Sequence, residues 1–122
     1  MVGWFEIPVA DMERARKFYE AIFDIDIEVH PMGELLMGWF PFAENKSGTS
    51  GSLVKHQDWY KPSESHGPLL YFSSEDVQVQ LDRLEKAGGK VIQPKTLIKE
   101  DIGYMAVFID TEGNRVALHS RK

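Results

Sequence analysis

Cysteine is absent from this chain of 122 residues. Disulfide bridges and thiolate metal sites are therefore excluded, and the composition fits a reducing compartment. Positive charge is scarce: 14 Lys and Arg stand against 19 Asp and Glu, for a formal charge of −5. No basic face is available to a phosphate backbone, so no nucleic-acid partner is expected. Long apolar runs are lacking as well. No stretch approaches the roughly 20 residues needed to cross a bilayer. The opening MVGWFEIPVAD has neither the basic n-region nor the apolar h-region of a signal peptide. The expectation is a soluble cytoplasmic protein with no membrane partner. What remains is ordinary for a globular domain, with 43% hydrophobic and 27% charged residues, enough for one hydrophobic core.

The chain then shows one plan used twice. GWFEIPV, residues 3–9, sets Phe5, Ile7 and Val9 against Trp4, Glu6 and Pro8, the alternation of a two-faced strand. Asp11 follows as a helix N-cap, with Glu13 in the first turn favoured by the helix dipole. Met12, Ala15, Tyr19, Ile22 and Phe23 recur at helical spacing and predict a helix over 12–23. Three strand-like runs follow: IDIEV, ELLMGWFPF and GSLVKH. The second half repeats the order. Leu69 to Ser74 read as a strand, and Asp76 as a cap. Val77, Leu81 and Leu84 give the stripe of a helix over 77–87 that ends at Gly88 and Gly89. KVIQPKTLI, GYMAVFI and NRVALHS are again strand-like. The repeat is one of pattern rather than of letters.

The expected organisation is one domain over 1–122. It consists of modules 1–56 and 67–122 joined by a Pro-, Ser- and Gly-bearing linker, 57–66. Trp59 and Tyr60 in that linker either anchor it on the core or cover a cavity. AENKSGTS, residues 43–50, is the other soft connection, where mobility is expected. His30, His56 and His66 sit in or beside loops, with no HxH or HExxH spacing, and read as solvated. The final strand raises a sharper question. Gly113 and Asn114 turn the chain, and Val116, Leu118 and Ser120 then alternate with Arg115, Ala117 and His119. That places a histidine beside an alanine on one strand face.

A βαβββ unit used twice, with VGWFEIPVADMERARKFYEAIF, LEKAGGKV and DTEGNRVALHS, resembles the vicinal oxygen chelate superfamily. That family includes glyoxalase I, bleomycin-resistance proteins and extradiol dioxygenases. YKPS in the linker and GNRVALHS at the end are most similar to its glyoxalase-like branch of unassigned activity. The resemblance covers nearly the whole chain. It implies an α+β fold of two βαβββ modules, each curving its sheet around a cavity with its helix outside. The helix-facing rows would be Phe5, Ile7, Val9, Leu70, Phe72, Val116 and Leu118. Trp4, Glu6, Pro8, Leu69, Tyr71, Ala117 and His119 would line the cavity.

Catalytic members of the family hold a divalent metal with His and Glu on these inner rows. The resemblance puts those ligands at the positions of Trp4, Leu69 and Ala117, none of which offers a metal donor. A fourth ligand, near residues 52–56, is not placed. No metal or other cofactor is therefore expected. Glu6, Tyr71 and His119 each stand two residues beyond a lost ligand, so strand alternation keeps them on the same face. Two functions of different class follow. In the first, a metal-independent lyase or isomerase acts on a small carbonyl compound. Glu6 is its general base, and Tyr71 and His119 donate to the developing oxyanion. In the second, the chain only sequesters a drug-like or cationic ligand in the manner of bleomycin-resistance proteins. Trp4, Trp39, Tyr71 and Trp59 would stack on it, and Glu6 would favour its positive charge. Leu69 and Ala117 complete the expected ligand-binding walls. The family also implies a homodimer, and Trp39, Phe40 and Phe42 give the first module an apolar stretch to bury.

Overall fold

The structure is a computed structural model that describes residues 1–42 and 48–122. Its order is β1 (Phe5–Pro8), α1 (Met12–Phe23), β2 (Glu28–Met32), β3 (Leu35–Trp39), β4 (Gly51–Lys55), β5 (Leu70–Ser73), α2 (Val77–Leu84), β6 (Lys90–Lys99), β7 (Gly103–Ile109) and β8 (Arg115–Ser120). The strands form two sheets of identical plan, β1-β4-β3-β2 and β5-β8-β7-β6. In each, the strand before the helix pairs in parallel with the last strand of its module, and the other pairings are antiparallel. The fold is therefore α+β with paired βαβββ modules, and the sheets do not close on each other.

Both helices form where capping chemistry starts them. Asp11 accepts the Arg14 amide at 3.1 Å and Asp76 accepts that of Gln78 at 3.0 Å. The helix expected over 77–87 is shorter, ending as an α-helix at Leu84. Its last turn tightens: Gly88 N–H donates to Glu85 O three residues back, and Gly88 takes φ 103°. Gly89 then lets the chain pass under α1. A Cβ there would stand 2.6 Å from the Phe18 ring. The strand expected at IDIEV begins later, at Glu28. Ile25 and Ile27 instead serve the core in the connection that leads into it.

One core joins the modules. Ile7, Val9, Met12, Ala15, Phe18, Tyr19, Ile22 and Leu53 from the first pack with Val77, Leu84, Ala106, Phe108, Val116 and Leu118 from the second. Phe5, Leu70 and Phe72 pack against it, so every residue expected to face the helices does so. Phe18 completes the α1 stripe and touches Phe108 with ring centroids 5.8 Å apart. Phe40 enters this core as well, whereas Phe42 stays exposed. The connection expected to be mobile, 43–50, falls mostly on 43–47, which lie outside the described residues.

The turn between β7 and β8 clamps the modules together. Tyr19 Oη donates to Asp110 Oδ2 at 2.6 Å, and Asn114 Nδ2 donates to Pro8 O at 2.7 Å. Glu112 accepts the Ala10 and Asp11 amides at 2.8 and 2.7 Å and the Arg14 guanidinium at 2.7 Å. Its side chain is fully shielded although Arg14 is half exposed. The sequence reads DTEGN as a turn; its side chains also hold the N-terminus of the opposite helix.

Candidate functional site

Strand alternation turns Glu6 away from the helices because Phe5 and Ile7 face them. Pairing then sets a row across the first sheet: Glu6 beside Ser52, Ser52 beside Trp39, Trp39 beside Glu28. Directly paired residues share a sheet face. The next row carries Pro8, Val54, Met37 and His30. In strand order this face bears two carboxylates, aromatic rings and no Lys or Arg. Ser52 is buried, and its hydroxyl donates to backbone carbonyls of Gly38 and Leu53, so it leaves a low floor between Glu6 and Trp39.

Glu6 itself is exposed, and both its oxygens are engaged. Tyr60 Oη donates to Oε1 at 2.6 Å, and Trp4 Nε1 donates to Oε2 at 3.4 Å. The bond to Glu6, with burial and the carboxylate charge adding to it, pushes the Tyr60 phenol above its ordinary range. Of the two linker aromatics, Tyr60 is the one turned onto this face. Trp59 is 82% exposed and meets only the edge of His56, at a centroid separation of 6.2 Å. The expectation for Tyr60 was a choice between anchoring and covering; nothing in the sequence tied it to Glu6. Trp39 packs on His30 at 4.0 Å between centroids, and its Nε1 is shielded with no acceptor among the described residues. His30 thus belongs to a strand face rather than to a loop. His56 and His66 remain in the segment between β4 and β5.

On the second sheet, Tyr71 pairs with Ala117 and Ser73 with His119. Tyr71 and His119 therefore share the face turned from the helices, as Glu6 does on its own sheet. Tyr71 is 48% exposed, Ala117 fully buried, and Leu69 half-buried just before β5. His119 Nε2 lies 2.8 Å from Ile102 O. A carbonyl only accepts, so Nε2 carries the hydrogen and neutral His119 presents Nδ1 as an acceptor. The expected role of oxyanion donor is then open to it only as the imidazolium. Among the described residues no hydrogen bond or ion pair joins Glu6 to Tyr71 or His119. A cleft of about 710 Å³ lies elsewhere, with Phe5, Phe23, Phe40 and Phe72 on its walls and Ser74, Asp76 and Gln80 at the α2 N-terminus. It opens on the helix side and shares none of the expected site residues.

The residues present do not fit the metal that the fold implies. Trp4, Leu69 and Ala117 carry no donor for it. Among the described residues no group of three or more His, Asp or Glu side chains is arranged to hold an ion.

Paired βαβββ modules with apolar helix faces and a polar, aromatic reverse face define a protein of the vicinal oxygen chelate type. Residues 1–118 match the Glyoxalase/Bleomycin resistance protein/Dioxygenase superfamily, and the chain belongs to it. It is 25% identical to a glyoxylase-like domain-containing protein of Didymella fabae, over 98% of this chain and 93% of that one. It is similar to TnmS3, an antibiotic binding protein from Streptomyces sp. CB03234, at 28% identity and a TM-score of 0.72. That match covers 100% of this chain and 96% of the other. A glyoxalase I variant from Zea mays shares the fold at a TM-score of 0.77 and 19% identity. The match covers 98% of this chain but only 45% of the maize chain. No helix is long and apolar enough to cross a membrane among the described residues.

Proposed function

We propose that this chain binds a small organic cation on the sheet face turned from its helices, with Glu6 as anchor, and releases it unchanged. The observation that carries this reading is the Glu6 carboxylate. It stands exposed beside Trp4 and Tyr60, on a face that also bears Glu28 and whose paired rows hold no Lys or Arg, Lys55 of β4 falling on the opposite face. A cation over aromatic faces next to a carboxylate gains from both the ring quadrupole and the charge. The overall negative charge favours the same class of ligand. The antibiotic-binding relative, alike over the full chain, supports sequestration over turnover. Thermal unfolding against a panel of cationic and neutral drug-like compounds tests this. Stabilisation that grows with ligand concentration, shows no turnover and disappears in Glu6→Gln supports it. Equal stabilisation of the Glu6→Gln protein refutes it.

A second reading is metal-independent lyase or isomerase chemistry on a carbonyl compound. It draws on His119, whose tautomer offers Nδ1 as a base on the face it shares with Tyr71. Consumption of a carbonyl substrate that His119→Ala abolishes would favour it. For assembly we infer a homodimer, and for location the cytoplasm.

A further inference from the structure

The two oxygens of Glu6 are not equivalent. Oε1 accepts the Tyr60 hydroxyl at 2.6 Å, a short bond to an ionised acceptor, whereas the Trp4 indole reaches Oε2 only at 3.4 Å. Tyr60 belongs to neither sheet. It sits in the segment between β4 and β5, where its own amide donates to His56 O. Three residues on, Ser63 is tied to β8 and the turn before it: its amide donates to Asn114 Oδ1 and its carbonyl accepts the Arg115 amide. The backbone on both sides of Tyr60 is thus held by contacts other than Glu6, and its hydroxyl is delivered to one oxygen of a carboxylate fixed on β1.

We propose that Tyr60 is the specificity-determining residue of the Glu6 site. By occupying Oε1 it leaves the ligand Oε2, where only the long Trp4 contact has to yield, and so selects an ammonium head group over a forked amidinium or guanidinium. This deepens the cation-binding reading and rests on it. A forked donor places two parallel N–H groups on both oxygens of one carboxylate, while an ammonium is a compact charge that needs only one. At Glu6 the forked approach has to compete with the Tyr60 hydroxyl for Oε1. The weak Trp4 contact at Oε2 yields more readily. The elevated phenol of Tyr60, caused first by the Glu6 bond, agrees with a hydroxyl that stays protonated and donating.

The test compares benzylamine with benzamidine, which share a phenyl ring and a single positive charge but differ in donor geometry. Both are titrated by calorimetry into the whole chain and into Tyr60→Phe and Glu6→Gln. Tyr60→Phe removes one hydroxyl from a half-buried ring and leaves the fold's core untouched. The wild type should prefer benzylamine. Tyr60→Phe should gain about three- to fivefold for benzamidine, the worth of one more exposed charged contact, with benzylamine unchanged within about twofold. Glu6→Gln should lose both. If Tyr60→Phe alters both probes alike, or neither, while Glu6→Gln still loses both, the assignment to Tyr60 is overturned and the cation site stands. If Glu6→Gln binds as the wild type does, or the wild type binds neither probe, the cation site itself is overturned and this proposal with it.

Discussion

Tyr19 and Asp110 lie 91 positions apart in sequence and share a buried hydrogen bond of 2.6 Å. The bond links the helix of the first module to the β7–β8 turn of the second. Asp110 also accepts amides of Glu112 and Asn114, so one carboxylate organises the turn and fastens it to α1. Burial raises the Asp110 carboxyl above its ordinary range despite these donors, and drives the Tyr19 phenol well above its own. The two modules thus meet at this turn as well as through their shared core.

Replacing Tyr19 by Phe should therefore destabilise the chain without emptying its core. The ring still packs with Phe18 and Phe40. A buried carboxylate, however, loses a donor, at a cost of about 1.5–3 kcal/mol. Thermal unfolding should show a midpoint lowered by roughly 5 °C or more. An unchanged midpoint would mean that the bond does not hold the modules together.

Glu112 gives the clamp a pH dependence of definite sign. Burial works to raise its carboxyl. The bonds from Arg14, Thr111 and the Asp11 and Ala10 amides outweigh burial, and it ends below the ordinary value. A depressed carboxyl contributes stability above its unfolded value, near 4.5, and loses that contribution as pH falls through the folded value. Asp110 works in the opposite sense: its raised carboxyl disfavours the ionised folded state, so that penalty is relieved on acidification. Glu112→Gln isolates the first effect. Denaturant unfolding should find the variant about 2 kcal/mol less stable at pH 7, with the gap closing as pH falls below about 4.5. A gap that widens on acidification would contradict the assignment.

Much of this fold was legible because its signals are local. Asp11 and Asp76 announce their helices, and the rows Phe5, Ile7, Val9 and Val116, Leu118 alternate at the strand period. The parity that turns Glu6, Tyr71 and His119 away from the helices follows from the same alternation. What escaped depends on pairs distant in the chain. Glu112 reads as a turn residue until the other module brings Ala10 and Asp11 to it. Tyr60 reads as one of two linker aromatics until β1 brings Glu6 within reach. Ile25 and Ile27 look like a strand because apolar alternation fits any half-buried extended segment. Residues 25–27 lie between the αL cap at Asp24 and the paired residues of β2, which begin at Glu28, and packing rather than pairing occupies them.

Assembly can be checked directly. β2 and β6 each form one edge of their sheet, with β1 and β5 at the other. Val29 and Met32 on β2, and Ile92, Leu97 and Ile98 on β6, leave large apolar side chains exposed. Unpaired edges of this kind call for cover. Light scattering at micromolar concentration should give twice the 13.9 kDa chain mass. The monomer mass alone at that concentration would refute the dimer.

The last prediction concerns metal. The sequence resemblance sets Trp4, Leu69 and Ala117 at three positions where catalytic members would carry ligands, and none of the three has a donor atom for an ion. The polar residues nearest them are few, and Glu6 and His119 each already have a partner. Both oxygens of Glu6 accept hydrogen bonds, from Tyr60 and Trp4. His119 spends Nε2 on Ile102 O and keeps only Nδ1 open. A carboxylate and one imidazole nitrogen make a weak site for zinc, nickel, manganese or iron, each of which takes three or more protein ligands in a stable centre. Protein purified without chelators should therefore contain far less than one such metal per chain by elemental analysis, and EDTA should leave its unfolding midpoint where it was. Stoichiometric metal that His119→Ala removes would show that Glu6 and His119 recruit an ion through a shifted set of ligands. The cation reading of Glu6 would then give way to a metal centre on the same face.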